Sequence, residues 1–577
     1  MGENARTNDM QNPSPWLAFY GDVPAHLDYP AVTLYGALAA TAQRVPEAIA
    51  WDFFGTSASY RSLLESVDRC ASMLAARGLG PGSCLLISMP TSPQAVIAFY
   101  AANRLGARPA LIHPLSTADE ITRYLDATGA TMALTLDAFY PALAAATPRL
   151  PLATILLARI ADYLPPLKRV GFWITRGRKI ASVPADPRVA WWTDALHAAP
   201  AMAEPPRGTP QDTAAILFSG GTTSLPKGIL LSNRAFIAQG TQAARWCRLS
   251  GSDSMLAILP VFHGFGLGVC INAVLMAGGK SILVPQFSAA IVAELLRRKR
   301  PNILVGVPTL FDALTRDASL ANTDLSCLKV CFCGADTLPR VVKERFEAMV
   351  AAAGGDVRLL EGYGLTEAVT GIMAMPLDHY REGSIGVPFP DMLAKICAVG
   401  SIDEVAPGTE GEICIAGPAL MTGYLDDAAA TAQALRVHAD GRTWLHTGDL
   451  GRMDDDGFFY FTVRLKRMIK SSGFNVYPAQ VESVLREHPA VADACVAGVA
   501  DEAQVERVVA WVVPRPGSAG GSALAEELIV HCRHKLIKWS CPREVHFVDG
   551  LPVTKVGKVD YRALASRQST RREGISP

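Results

Sequence analysis

The stretch Ile216-Leu-Phe-Ser-Gly-Gly-Thr-Thr-Ser-Leu-Pro-Lys-Gly228 decides how this chain is read. An apolar run enters it, and a Gly/Ser/Thr-rich turn leaves through Pro226-Lys227-Gly228. Such a turn can offer backbone N–H groups and hydroxyls to a polyphosphate, with the lysine neutralising charge. It is not a Walker A loop, which requires G-x-x-x-x-G-K-[ST]; here Pro226 precedes the lysine and Gly228 follows it. Taken alone, a polar glycine-rich turn is more often structural. The density of small polar residues closed by Pro-Lys-Gly is much less common.

Working outward, apolar runs alternate with segments of helical period from Thr33 to about Gly400, the pattern of an α/β fold. Examples are a strand over Ser83–Met89, a Pro-started helix over Pro93–Leu105 and a strand over Arg108–Ile112. A second set is Ser281–Val284, the helix Ala289–Arg300 and Ile303–Val307. From Lys395 to Gly417 the pattern turns to short strands, implying a small β-rich subdomain. Past Arg464 it becomes compact α+β, with a helix from Pro478 to His488 and strands at Ala494–Ala500 and Arg507–Pro514. A helix Ala523–Leu536 and a strand Glu544–Val548 close it. The last residues, Gln568–Pro577, read as a frayed tail.

Three more motifs carry chemistry. In Glu361-Gly-Tyr-Gly-Leu-Thr-Glu-Ala368, Gly362 and Gly364 flank Tyr363 and let a base stack on it. Thr366 supplies a hydroxyl there, and Glu367 a hard oxygen ligand suited to Mg²⁺. The bland alternative is a strand-to-helix turn with an incidental acid. In His446-Thr-Gly-Asp449 a fixed Asp beside Gly suits bidentate bonding to two ribose hydroxyls, and Asp454-Asp-Asp-Gly457 reads as a hairpin tip. Near the C-terminus, Leu551-Pro-Val-Thr-Lys-Val-Gly-Lys558 presents Lys558 on a turn. Each signal by itself is weak.

Together, in this order and at these separations, they resemble the adenylate-forming superfamily over about Pro15 to Leu564, and most closely its bacterial long-chain fatty acid–CoA ligases. Supporting stretches are Gly220-Gly221, Gly383-Ser-Ile-Gly386, Ser472-Gly-Phe-Asn-Val-Tyr-Pro478 and the N-terminal Pro15-Trp16-Leu17, Tyr29-Pro30 and Thr33-Leu34-Tyr35. The resemblance implies a carboxylate attacking the α-phosphate of ATP, then a thiol, usually coenzyme A, attacking the acyl-AMP. Positioning and charge neutralisation would dominate such a reaction. By residue, Ser219, Gly220, Gly221, Thr222, Thr223, Ser224, Lys227 and Gly228 would hold the β- and γ-phosphates. Gly334, Gly362 and Gly364 would belong to the nucleotide-binding set, and Tyr363 would stack on adenine. Thr366 would meet the α-phosphate and Glu367 bind Mg²⁺. Asp449 would take the ribose, assisted by Arg464. His263 would line the acyl entrance, and Lys558 would reach the carboxylate and α-phosphate. Ser472 and Gly473 would flank the thiol tunnel.

The implied organisation is an N-terminal extension (1–32), a large AMP-binding domain of layered α/β subdomains with a small β subdomain (33–463), and a hinge (464–466) centred on Lys466. A mobile α+β lid (467–566) and a flexible tail (567–577) follow. Three positions depart from the family pattern: Ser224 where Gly is usual, Val463 where Gly or Asp is usual, and Arg467 where an acid is common. Cys333-Gly-Ala-Asp-Thr-Leu-Pro339 resembles acyl–acyl-carrier-protein synthetases instead, which leaves a carrier protein open as acceptor. A non-catalytic nucleotide-binding relative is the rival from another class. A serine hydrolase is excluded by the lack of a G-x-S-x-G elbow.

Composition narrows the rest. The chain has 577 residues, 54 Lys plus Arg against 54 Asp plus Glu, and 50% hydrophobic residues. That is too apolar for a disordered chain and lacks the basic excess of a nucleic-acid binder. Met1–Pro15 lacks a signal peptide's apolar core, and the twelve scattered cysteines show no zinc spacing, which reads as a cytoplasmic protein. Ser254–Gly279, free of Asp, Glu, Lys and Arg, is near the length of a membrane span but reads as a buried strand, loop and helix. Leu150–Trp173 is apolar but broken by charges and prolines. It reads as a covered surface segment, the alternative being peripheral contact with the inner membrane surface.

Overall fold

The computed structural model describes residues 14–147, 152–202, 204–218, 227–320, 323–471, 474–501, 505–518, 520–554 and 559–566. The chain divides into two compact units. One comprises residues 1–394, 415–445 and 456–458, and the other 395–414, 446–455 and 459–577.

Two sheets build the first unit. In the eight-stranded sheet the strand order is Gly423–Tyr424, Gly228–Ser232, Thr213–Phe218, Arg108–Leu111, Cys84–Ser88, Met132–Leu136, Thr154–Ala158 and Val189–Trp191. The five pairings from Thr213–Phe218 onward are parallel. The central strands are buried throughout and carry no polar alternation, as a parallel sheet covered on both faces requires. The helix after Cys84–Ser88 begins at Pro93, capped by the Ser92 hydroxyl, and every residue to Arg104 is buried. It forms where sequence periodicity predicts it.

The nine-stranded sheet runs Val387–Pro388, Gly371–Ala374, Leu359–Gly364, Val330–Cys333, Ile303–Gly306, Ser254–Ala257, Lys280–Leu283, Ile49–Phe53 and Thr56–Ser59. Its core gathers Leu256, Ile282, Leu296, Leu304, Phe311, Phe346 and Leu359. The segment Ser254–Gly279 is buried as strand, loop and helix, as expected. After the strand Ser254–Ala257 it continues not as an ordinary α-helix but as π-helical turns over Phe265–Ala273, with one α turn at Val274–Ala277. Within this apolar run Asn272 donates to the Phe236 carbonyl and accepts from the Tyr100 hydroxyl.

Residues 14–32 belong to the first unit and are tied to it by hydrogen bonds. The Tyr20 hydroxyl donates to the Pro388 carbonyl, and Asp391 accepts from the Tyr29 hydroxyl at 2.6 Å and the Leu27 N–H at 2.9 Å.

A further five-stranded sheet contains Leu393–Cys397, Gly411–Ala416, Thr443–Met453 and Leu435–Val437, with Phe459–Arg464 paired to Thr443–Met453. In the second unit the long hairpin Val491–Asp501 and Val505–Pro514 is joined by Ile469–Ser471, Phe474–Val476 and the parallel strand Glu544–Phe547. Helices Pro478–Arg486 and Ser522–Lys535 cover it, and Val481, Leu485, Val496, Ala510 and Leu528 form its core. All twelve cysteines are unpaired, and eleven are buried.

Candidate functional site

In the first unit three motif segments meet through backbone close approach. A Cβ built on Gly334 would stand 3.1 Å from the Gly362 carbonyl oxygen. One on Gly364 would stand 1.9 Å from the Thr370 oxygen, and one on Gly264 only 1.7 Å from the Val369 oxygen. Real Cβ atoms do not come as near as 1.9 or 1.7 Å, so Gly364 and Gly264 are required by packing, while Gly334 sits in a tight approach that a side chain would have to push apart. They bring the Cys333-Gly334 strand end, the Glu361–Ala368 motif and the His263 loop side by side.

The loop after Glu367 is strained. Val369 has φ +64° and ψ −60°, and the Thr370 N–H donates to the Ala368 carbonyl at 2.7 Å. That is the rarer, positive-φ γ-turn, unfavourable for a β-branched residue. The turn aims the Val369 carbonyl at Gly264 and holds the short 3₁₀ turn Thr366–Ala368 in place. Tyr363 sits at 9% exposure on strand Leu359–Gly364, its neighbour across the sheet being Met373. His263 Nδ1 accepts from the Phe265 N–H at 3.2 Å, which fixes its ring at the start of the π-helical run.

Glu367 is reached from the other sheet. The Tyr424 hydroxyl donates to Glu367 Oε1 at 3.0 Å, and the Met421 N–H to the Glu367 carbonyl at 2.7 Å. Burial, and then the adjacent Glu367 charge, push the Tyr424 phenol up, so it stays a donor. Lys227 Nζ lies 4.8 Å from the centroid of the same Tyr424 ring and 3.3 Å from Asp427. Asp427 caps the helix Ala428–Ala434; that backbone hydrogen bond, and then Lys227, hold its carboxyl low. Gly228 pairs beside this strand, since the Leu425 N–H donates to its carbonyl at 2.7 Å. One tyrosine thus spans a cation at the end of the glycine-rich turn and an acid from the Glu361–Ala368 motif.

In the second unit, Asp449 and Arg464 face each other across an antiparallel pair, with Arg464 Nε 3.1 Å from Asp449 Oδ1. Arg464 is exposed and Asp449 is 1% exposed. The Gly448-Asp449 stretch of this strand is braced by a neighbouring acid. Glu412 accepts from the Gly448 N–H at 2.9 Å and pairs with His446 Nδ1 at 2.8 Å, while Cys414 Sγ lies 3.5 Å from that nitrogen. These three donors fall within 4.8 Å of one another, although no sequence spacing announced a cluster. The 2.8 Å separation is that of a hydrogen bond, which orients the imidazole.

Lys466 is exposed on the 3₁₀ turn Leu465–Arg467. The departure at Arg467 has a physical account: its guanidinium pairs with buried Glu482 on helix Pro478–Arg486, and Glu482 also accepts from the Val496 N–H. Val463 is buried opposite Leu450. Ser219, Gly220, Gly221, Thr222, Thr223, Ser224, Ser472, Gly473 and Lys558 lie outside the described residues. Sequence reasoning missed Tyr424 and Glu412. An acid placed among the inward-facing residues of the apolar strand Gly411–Ala416 was the available signal for Glu412. The conformational cost at Val369 had none.

The family model of AMP-binding enzymes matches residues 38–425, and that of the AMP-binding enzyme C-terminal domain matches 480–558. A long-chain-fatty-acid–CoA ligase of Bacillus subtilis is 33% identical over 97% of this chain and 99% of its own length. A 3-[(3aS,4S,7aS)-7a-methyl-1,5-dioxo-octahydro-1H-inden-4-yl]propanoyl:CoA ligase of Mycobacterium tuberculosis is 35% identical over 87% of this chain and 92% of its own. Among solved structures, ATP-bound MatB of Rhodopseudomonas palustris superposes with a TM-score of 0.78 at 26% identity, covering 93% of this chain and 99% of that one.

Proposed function

The chain belongs to the AMP-binding enzyme family, and from that premise we propose that it activates a medium- or long-chain fatty acid with ATP and passes the acyl group to coenzyme A. The observation that carries this reading is Tyr424, which holds Lys227 over its ring and Glu367 on its hydroxyl. A polyphosphate and its counter-cation need such a cation and acid side by side.

In the first half-reaction a carboxylate oxygen attacks the α-phosphorus, and the bond to the departing pyrophosphate breaks. In the second a thiol sulfur attacks the acyl carbonyl and AMP leaves. Lys227 and Gly228, with Ser219, Gly220, Gly221, Thr222, Thr223 and Ser224, neutralise and seat the β- and γ-phosphates. Tyr363 stacks the adenine between Gly362 and Gly364, with Gly334 behind. Thr366 donates to the α-phosphate, and Asp449, aimed by Arg464 and the Glu412 brace, takes the ribose hydroxyls. His263 lines the acyl side, and Lys558 meets the charge that develops on the carboxylate and α-phosphate.

The donor set fits Mg²⁺: Glu367 is a hard oxygen ligand, and among the described residues it forms no ion pair that would compete for it. Bound there, the ion would neutralise phosphate charge. The lid, 467–566, turns about Lys466 between the half-reactions and exchanges Lys558 for Ser472 and Gly473. Among the described residues no helix is long and apolar enough to cross a membrane. Twelve unpaired cysteines support a reducing, cytoplasmic setting.

The test is ATP–pyrophosphate exchange across acids from short to long. Exchange that rises with chain length supports the reading, and none with any acid sinks it. Adding coenzyme A or a holo carrier protein separates the acceptors, the Cys333–Pro339 stretch being what favours a carrier. Lys558→Ala should cripple exchange but largely spare thiolysis of supplied acyl-AMP; equal loss in both would end the division of labour.

A further inference from the structure

The helix Pro166–Thr175 wears its apolar stripe on the outside. Leu167, Val170, Trp173 and Ile174 are 88%, 58%, 60% and 55% exposed, and no residue of the helix is buried. At about 100° per residue these four fall within an arc of about 120°. Phe172, the one partly buried residue of the helix, and Lys168 project from the opposite side, where Lys168 Nζ lies 5.4 Å from the Phe54 ring. The preceding Pro165 closes on Gly55 of the same turn. The helix is therefore docked by its other face, and its apolar stripe is turned away from the protein. In a water-facing helix that arrangement is reversed.

Charge says what covers it. Between Asp162 and Asp186 the chain has five basic residues, Lys168, Arg169, Arg176, Arg178 and Lys179, and no acid, in a protein whose total formal charge is zero. Four of the five lie on or just beyond the stripe's margins, with the Arg178 guanidinium 5.5 Å from the Trp173 ring. A short helix with aliphatic residues and a tryptophan on one side and arginines at its edges matches the boundary of an anionic bilayer. At ten residues it is about 15 Å long, too short to span and suited to lie flat.

We propose that residues 166–179 dock this protein on an anionic phospholipid surface. The function this serves rests on the fatty-acid reading above: a long-chain acid partitions into a bilayer, and a docked enzyme collects it there. The docking itself is independent of that reading.

The full-length protein is sedimented with vesicles of phosphatidylcholine alone or with a third phosphatidylglycerol. Binding should require the anionic lipid and fall steeply with salt. The double variant Leu167→Ser/Trp173→Ser should lose at least about tenfold in partitioning, and Arg176→Gln/Arg178→Gln about tenfold. Both should keep the parent's circular dichroism and its exchange rate with a water-soluble acid. With a long-chain acid delivered in anionic vesicles both should slow, and with the same acid delivered on albumin neither should. If no acid supports exchange, the fatty-acid reading fails while sedimentation still judges the docking. Unchanged partitioning in both variants, or equal binding to zwitterionic vesicles, overturns the proposal. So does a concentration-dependent dimer, seen by light scattering, that Leu167→Ser/Trp173→Ser dissolves.

Discussion

Two stretches of this protein look alike as strings and end in opposite places. Both 254–279 and 150–173 are apolar, and each approaches the length of a membrane helix. The first is buried against the Glu361–Ala368 motif, with Leu267, Cys270, Ile271 and Val274 at 1% exposure or less. The second begins as a buried strand, Thr154–Ala158, and then emerges as the exposed helix Pro166–Thr175. The expectation of a covered surface segment is thus corrected over its second half. The difference lies in what interrupts the apolar run. Glycines let backbone meet backbone in the first, whereas Arg159, Asp162, Lys168 and Arg169 break the second with charges that are costly to bury without partners.

Substitutions can break this contrast, the largest expected effect first. Gly264→Ala would put a methyl into the Val369 carbonyl, and should cost upward of about 3 kcal/mol and most of the exchange activity. Urea unfolding beside pyrophosphate release would show it, and a variant as stable as the parent would remove the close approach from the account. Gly268→Ala should be milder, about 1–3 kcal/mol, because its nearest neighbour is the end of the Gln239 side chain at 2.8 Å, which can turn aside. A drop as large as that of Gly264→Ala would mean the π-helical wall cannot yield. At the other stretch, Trp173→Ala should change stability by no more than about 0.5 kcal/mol, an exposed ring having little packing to lose. A loss beyond about 2 kcal/mol in the free energy of urea unfolding would show the helix to be covered after all and erase the contrast.

Much of the fold was legible. The strands over Cys84–Ser88, Ile303–Gly306 and Gly411–Ala416 and the helices at Pro93, Ala289 and Pro478 stand where apolar period and proline position predict them, within one or two residues at most ends. Local signals suffice there because a buried parallel strand and a capped helix are specified by their own residues. The brace under Asp449 was not legible. Glu412 lies 37 positions before Asp449, and only pairing of the strands that carry them makes them neighbours. Tyr424 escaped for the same reason: Glu367 is 57 positions away, and the two touch because the Gly423–Tyr424 strand pairs beside Gly228.

The sequence by itself determined the family and the α/β class, because four short motifs stand in fixed local order and the apolar periods between them are local signals. Only the tertiary structure decided which glycines are steric necessities, that Val369 holds a strained turn, and that one apolar stretch turns inward and the other outward. Those are properties of distance between segments far apart in the chain, and neither composition nor spacing encodes distance.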